Sequence, residues 1–306
     1  MLSGFSSFYQ PYISILNQQN QALREQLLRS GVVLNPPSLE TILFDPLVNR
    51  GVEVQCLRLD QVHPVISGNK WYKLKFNLSQ ALLEGKDRLI SFGGPWSNHL
   101  HAFSYAGTKA GFRTTAIIRG EEWRHKSNPL LDDLRDNGTE LIFVSRDQYR
   151  QRNDPMYQRQ FLIRFANSYL IPEGGDNFFG VLGVSSLLSE LQESQQQTLL
   201  QCNGLALACG TGNTFAGFRV ALPQRVSMLG FSALKGDWYT AMLKNKMAGF
   251  WPLVTGNWQL FSQFHGGGFG KLNESLQSFM VDFESDTGML LDPVYTAKLL
   301  CGFLIF

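Results

Sequence analysis

The chain has 306 residues, of which 44% are hydrophobic and only 17% charged. A charged share below the globular norm of about 25% leaves material for a buried core, in one large domain or two ordinary ones. The formal net charge of +2 is too small to mark a nucleic-acid or acidic-membrane partner, and no run approaches the roughly 20 apolar residues of a membrane span. Cys56, Cys202, Cys209 and Cys301 lack CxxC spacing. That fits reduced thiols in a cytoplasmic protein and argues against a disulfide framework or a zinc site. The opening segment MLSGFSSFYQPYISILNQQNQ has neither the basic n-region nor the long apolar h-region of a secretory signal.

Residues 12–30 place Ile13, Leu16, Leu23, Leu27 and Leu28 on one broad face, which predicts an amphipathic helix ending before Gly31. Asn35-Pro36-Pro37 breaks it, and the alternation of VEVQCLRL (52–59) predicts a strand. After the Ser67-Gly68-Asn69 turn, Lys70 to Leu83 carries Leu74, Leu78, Ala81 and Leu82 at helical spacing. Strands are then expected at 88–92, 114–118 and 140–144, with helices at 100–110 and near 130–136 between them. The stretch 150–176 shows no clear period and is expected to be irregular. A second series follows: a helix from Val181 to about Gln192, a strand at 204–208, a helix after Thr214 and a strand at 226–231. Gln195 to Gln197 reads as a solvated helix end. Alternating strands and helices imply βαβ units and a mainly parallel arrangement, here in two lobes with a cleft between them. The closing LLCGFLIF is apolar enough that it must be buried, or else mark a chain that stops early.

Three turns carry candidate chemistry. Lys70 follows a Gly-Asn turn at a helix start, a strand-to-helix edge of the kind where α/β ligand sites cluster. A lysine there can form a Schiff base with an aldehyde, and partial burial favours its nucleophilic form. Gly93-Gly94-Pro95-Trp96-Ser97-Asn98-His99 delivers free N–H groups, Ser97 and Asn98 to a helix N-terminus. Cys209-Gly210-Thr211-Gly212-Asn213-Thr214 repeats the strand, glycine turn and helix. Its successive amides, helix dipole and threonine hydroxyls suit a phosphate monoester. It lacks the Gly-Lys-Ser/Thr of a Walker A loop. Because its third glycine falls at Gly217, it also misses the dinucleotide fingerprint. Each turn has a plainer reading: a solvated lysine, an N-cap, a tight βα connection. His99 and His101 stand two apart and point differently on a helix, so no metal is expected.

The motifs SGNKWYKLKFNL, SFGGPWSNHLHAFS, IPEGGDNFFGVLG, ACGTGNTFAGF and LLDPVYTAK, in that order, resemble the 1-aminocyclopropane-1-carboxylate deaminase/D-cysteine desulfhydrase family. These are pyridoxal 5′-phosphate (PLP) enzymes, and the resemblance runs from about Val54 to Leu300. It implies an α/β protein of PLP fold type II, like the tryptophan synthase β chain. That fold has two open parallel-type sheets flanked by helices, with the cofactor in the interdomain cleft. The large domain would comprise 1–78 and 177–306, with 1–40 as an N-terminal extension, and the small domain 79–176. By resemblance Lys70 holds PLP and moves protons at the substrate carbons, and Asn98 bonds the pyridine ring hydroxyl. Ser97 lies near the substrate carboxylate, Gly210, Thr211, Gly212, Asn213 and Thr214 bind the phosphate, and Tyr295 lies near cofactor and substrate. The implied activity is that of a lyase or deaminase on a small amino acid, D-cysteine or a related D-amino acid, in a homodimer.

Three departures qualify this. Phe269-Gly270 stands where ring-opening members carry a second active-site tyrosine. Thr296 replaces a glutamate of the cyclopropane deaminases and sits closer to the desulfhydrase pattern. The family's later strand and His-Thr-Gly-Gly turn find no counterpart before Phe306. A homologue that binds PLP with reduced or no turnover, in a binding or regulatory role, is therefore the alternative reading. A nucleotide-binding protein using only the Gly210–Gly217 loop is a more distant one.

Overall fold

The apolar stripe near the N-terminus forms the helix Gln10–Arg29, with Ile13, Leu16, Leu23 and Leu27 buried. Leu28, expected on the same face, is instead 60% exposed. This helix packs on the helix Lys70–Leu83. The Arg24 guanidinium lies 5.4 Å over the Trp71 ring, and Gln26 donates to the Ala110 carbonyl at 2.6 Å. These contacts belong to a computed structural model that describes residues 10–236, 238–249 and 256–305.

Nine strands occur among the described residues: β1 (Leu39–Ile42), β2 (Val54–Leu57), β3 (Arg88–Gly93), β4 (Arg113–Arg119), β5 (Glu140–Val144), β6 (Ser168–Ile171), β7 (Gly204–Cys209), β8 (Ser227–Ser232) and β9 (Trp258–Phe261). The described chain divides into two compact units, one of residues 10–36 and 59–187, the other of 37–58 and 188–305.

In the first unit the sheet order is β5-β4-β3-β6, parallel throughout. Alternation along β3 sends Ile90 and Phe92 to one face, where they join Ile117, Val144, Tyr149, Tyr157 and Phe161 in one apolar cluster. Leu89 lies on the other face, against the helix Asn98–Lys109. A Cβ on Gly107 of that helix would sit 2.7 Å from Thr114 Cγ2 and 3.0 Å from Leu89, so glycine is what admits the close approach. The second unit holds a parallel sheet of order β7-β8-β9 and an antiparallel β1-β2 pair. Phe231 stacks on Phe261 at 5.0 Å. The closing helix Thr296–Ile305 lays Gly302 against Phe231 and Phe264. Leu300, Phe303 and Leu304 join the cluster around Phe44 and Phe283, so much of the apolar terminus is packed.

The expected fold class is observed: α/β, with two open parallel sheets and helices on them. The expected domain limits and the two units divide the chain at different places. Lys70–Leu83 and Phe178–Ser185 both lie in the unit of β3 to β6, and a Cβ on Gly183 would stand only 1.9 Å from the Tyr72 carbonyl oxygen.

The stretch 150–176 is not irregular. It contains the helix Pro155–Arg164 and β6. Asp154 caps that helix by accepting from the Met156 and Tyr157 amides, with Pro155 at the first position. Only Tyr157 and Phe161 are buried there, so the helix has no periodic apolar stripe to advertise it. The helix expected from Val181 to Gln192 stops at Ser185 and gives way to a 3-10 turn, Ser186–Glu190. The hydroxyls of Ser185 and Ser186 bond back to Leu182 O and Gly183 O, each at 2.8 Å, a competition that commonly distorts helices. Gln195 to Gln197 lie inside the helix Glu193–Gln201.

Candidate active site

Lys70 opens its helix after Gly68, which takes the left-handed conformation at φ 65°. Asn69 stands at the N-cap, yet its side chain makes no cap bond. Its Oδ1 instead accepts from Lys70 Nζ at 2.6 Å, and the half-buried lysine is steered by its neighbour. The two lysines after it, Lys73 and Lys75, are buried at 6% and 1% exposure. Lys75 Nζ lies 5.1 Å from both the Tyr72 and Phe76 ring centroids, so aromatic faces offset part of its desolvation. Sequence patterning did not single out these buried cations, although the run KWYKLK held the signal.

The turn after β3 is built on Gly93. A Cβ there would meet Leu100 at 2.6 Å and Ser97 Oγ at 2.8 Å. Ser97 is the N-cap of Asn98–Lys109, its Oγ accepting from the Leu100 amide at 3.3 Å. The plainer reading of Ser97 is thus realised, and any role toward a ligand shares the same oxygen. Asn98 is exposed. Trp96, 62% exposed, sits edge-on to Trp123 at 6.4 Å.

His99 and His101 turn to different partners. His101 Nε2 is 3.2 Å from Asp133. His99 is buried, with Nε2 2.8 Å from Ser91 Oγ, and Ser91 Oγ donates to the Ile171 carbonyl, also at 2.8 Å. Among the described residues, His99 Nδ1 is buried with no hydrogen-bond partner, a mismatch that costs about 1–3 kcal/mol when nothing fills it. Burial first, then the charges of Lys70 and Lys73, push the imidazole down to a pKa of about 3. It is therefore neutral, and the Lys70 helix start and the Ser97–His99 turn are electrostatic neighbours. No group of three metal-ligating side chains occurs among the described residues.

In the second unit, Gly212 is the N-cap of Asn213–Ala221 in the left-handed conformation, φ 85°. A Cβ on it would stand 2.9 Å from Leu243, and one on Gly210 would stand 3.3 Å from the Tyr295 ring. Packing and its positive φ call for glycine at 212, and Tyr295 lies close against Gly210. Lys246 Nζ donates to Asn213 Oδ1 at 2.6 Å, and its side chain runs beside Gly212. A lysine amine joined to a helix N-terminus makes this loop a positive environment suited to a phosphate ester. Lys246, on the helix Trp238–Ala248, was not anticipated, because nothing in its own segment marks it.

Tyr295 is positioned by Asp292, whose Oδ1 accepts from the Val294 and Tyr295 amides at 3.0 and 2.7 Å. The Thr296 hydroxyl closes the same turn, accepting from Asp292 N at 2.7 Å and donating to Asp292 O at 3.3 Å. Phe269 is 56% exposed and meets the Tyr295 ring edge-on at 5.9 Å. Its loop is held by the buried Lys298, which donates to Gly268 O at 2.6 Å. Beside that lysine is a cavity of about 160 Å³, lined by Gln263, Asn273, Ser275, Lys298 and Cys301 among others. It contains none of the expected site residues. One unit thus carries Lys70, Ser97 and Asn98, and the other gathers residues 210–214 with Tyr295.

No protein-family profile matches the chain. It is 28% identical over 264 residues to a candidate 1-aminocyclopropane-1-carboxylate deaminase of Thermotoga maritima, covering 82% of this chain and 83% of that one. It is also 28% identical over 267 residues to the D-cysteine desulfhydrase of Klebsiella pneumoniae, covering 82% and 80% respectively. Among solved structures, a homologue of 1-aminocyclopropane-1-carboxylate deaminase superposes with a TM-score of 0.74 at 24% identity, over 89% of this chain and 85% of the other. That likeness concerns the fold. No helix among the described residues is long and apolar enough to cross a membrane.

Proposed function

We propose that this chain, a homologue of the 1-aminocyclopropane-1-carboxylate deaminase and D-cysteine desulfhydrase proteins, is a PLP-dependent lyase or deaminase of a small amino acid. What carries the reading is Lys70: a half-buried amine at a helix start, steered by Asn69, in the first of the motifs that resemble that family. The donor set fits the cofactor chemically. A lysine meets an aldehyde, and a glycine-walled helix N-terminus with Lys246 meets a phosphate ester.

Bound to these residues, PLP supplies an electron sink for the bonds at the substrate Cα. Lys70 is the covalent anchor and, when its amine is free, moves a proton at the substrate carbons. Asn98 donates to the ring hydroxyl. The amides of residues 210–214, with the Thr211 and Thr214 hydroxyls, hold the phosphate. Ser97 and the N-terminus of its helix hold the substrate carboxylate, where the dipole favours an anion. Tyr295 contributes its phenol beside the reacting carbons. Phe269, lying on Tyr295 without a phenolic proton, favours a D-cysteine-like or related D-amino acid over a cyclopropane substrate. The same residue supports a second reading, a homologue that holds PLP without turnover.

A spectral titration tests both. Purified protein given PLP should absorb at roughly 410–430 nm, and Lys70→Ala should abolish the band. Adding a panel of D- and L-amino acids should shift it and release ammonia and a keto acid from the true substrate. A shift without release selects the second reading. Absence of the band, with Lys70→Ala indistinguishable from the parent, removes both.

A further inference from the structure

The cavity beside the closing helix lies wholly within the second unit. Of its lining residues, Lys298 is 2% exposed and stands in the first turn of Thr296–Ile305. An ammonium carries three donors. One goes to Gly268 O at 2.6 Å, and among the described residues the amine makes no other hydrogen bond and no ion pair. Asp292 acts on it only through its field, with Oδ1 already taken by the Val294 and Tyr295 amides. Burial lowers the Lys298 pKa, and Asp292 offsets only part of that. A buried cation in this condition is costly until a counter-charge is supplied.

Asn273, Ser275 and Leu276 also line the cavity and begin the helix Glu274–Thr287. Asn273 Oδ1 accepts from Leu276 N at 2.9 Å, and the Glu274 and Ser275 amides remain as donors at the helix start. Gln263 adds a side-chain amide, and none of the described lining residues is acidic. Glu274 is exposed and does not line the cavity. The volume of about 160 Å³ exceeds that of one water, about 30 Å³ in the liquid. We propose that this cavity binds a small oxyanion, a carboxylate or inorganic phosphate, held between the Lys298 ammonium and the N-terminus of Glu274–Thr287.

The occupant bears on the loop that carries Phe269. The amine that meets it also holds Gly268 O, one residue before Phe269, and Phe269 lies 5.9 Å from the Tyr295 ring. Gly266, Gly267, Gly268 and Gly270 all take positive φ, between 59° and 124°, and glycine has the most backbone freedom to lose. A loop of this composition depends on such an outside hold.

Isothermal titration of the full chain with sodium acetate and, separately, sodium phosphate, at constant ionic strength, should show saturable binding whether or not PLP is present. Ser275→Asp sets a carboxylate beside the cavity where a helix N-terminus favours it. It should keep or raise the urea midpoint and weaken anion binding tenfold or more. Lys298→Met should abolish binding, and where that variant fails to fold Ser275→Asp decides alone. Bound anion should slow amide hydrogen exchange over residues 264–271 in the parent and not in Ser275→Asp. Binding of acetate assigns a carboxylate ligand, and binding of phosphate alone assigns inorganic phosphate. Binding that survives undiminished in Ser275→Asp lies elsewhere, at the 210–214 loop or the Ser97 turn, and overturns the proposal. Absence of saturable binding by either anion overturns it as well.

Discussion

Ser97 serves the fold with the oxygen that would serve a substrate. Its Oγ caps Asn98–Lys109, and replacing an N-cap serine by alanine costs about 1 kcal/mol, so Ser97→Ala would blur stability with binding. Ser97→Asp separates them. Aspartate caps as well as serine, so the urea midpoint should hold, while its charge repels a substrate carboxylate and KM should rise about tenfold or more. An unchanged KM would leave Ser97 a cap and nothing else. The candidate site was only half legible at this scale. Lys70, Ser97, Asn98 and the Gly210–Thr214 loop stand out because turn residues flank them in the chain. Lys246 and the orphaned Nδ1 of His99 do not, because their meaning comes from neighbours remote in sequence, Asn213 for the one and Ser91 and Ile171 for the other.

At the scale of elements, Lys70–Leu83 packs closely against Phe178–Ser185 in the unit that carries Lys70. With 1.9 Å between a would-be Cβ on Gly183 and the Tyr72 carbonyl oxygen, Gly183→Ala forces the two helices apart. It should destabilise by about 3 kcal/mol or more in urea unfolding. Should the variant lose less than about 1 kcal/mol, the helix pair is not the rigid support inferred for Lys70. Helices with a strong apolar stripe, such as Gln10–Arg29, and strands between turn signals, such as β3, β4 and β5, were readable from spacing. The helix Pro155–Arg164 and the four-residue β6 were not. The first buries only two side chains, and the second becomes a strand by pairing with β3.

Over the whole molecule, folding ties stability to pH through His99. Its folded pKa of about 3 lies below the ordinary 6.5, so the unfolded chain binds the extra proton between those values. The stabilisation is complete above about pH 6.5 and is lost as the pH falls toward 3. Lowering the pH from 7 to 5 should therefore cost about 2 kcal/mol, and burial of His63, which also lowers its pKa, acts in the same direction. Urea denaturation at the two pH values measures this, and His99→Gln should remove most of the slope. A variant as pH-sensitive as the parent would place the titration elsewhere.

The sequence alone determined the α/β class, the two βα series and the ordered turns that point to a lysine-held, phosphorylated cofactor. These depend on local periodicity and on glycine, proline and capping residues, whose effects act within a few positions. Only the tertiary structure decided that Ser97 is an N-cap, that Tyr295 lies against Gly210, that Phe269 meets that tyrosine, and that His99 is buried and neutral with one ring nitrogen unpartnered among the described residues. Each follows from contacts between residues far apart in the chain or from removal of water, and neither is written in a local pattern.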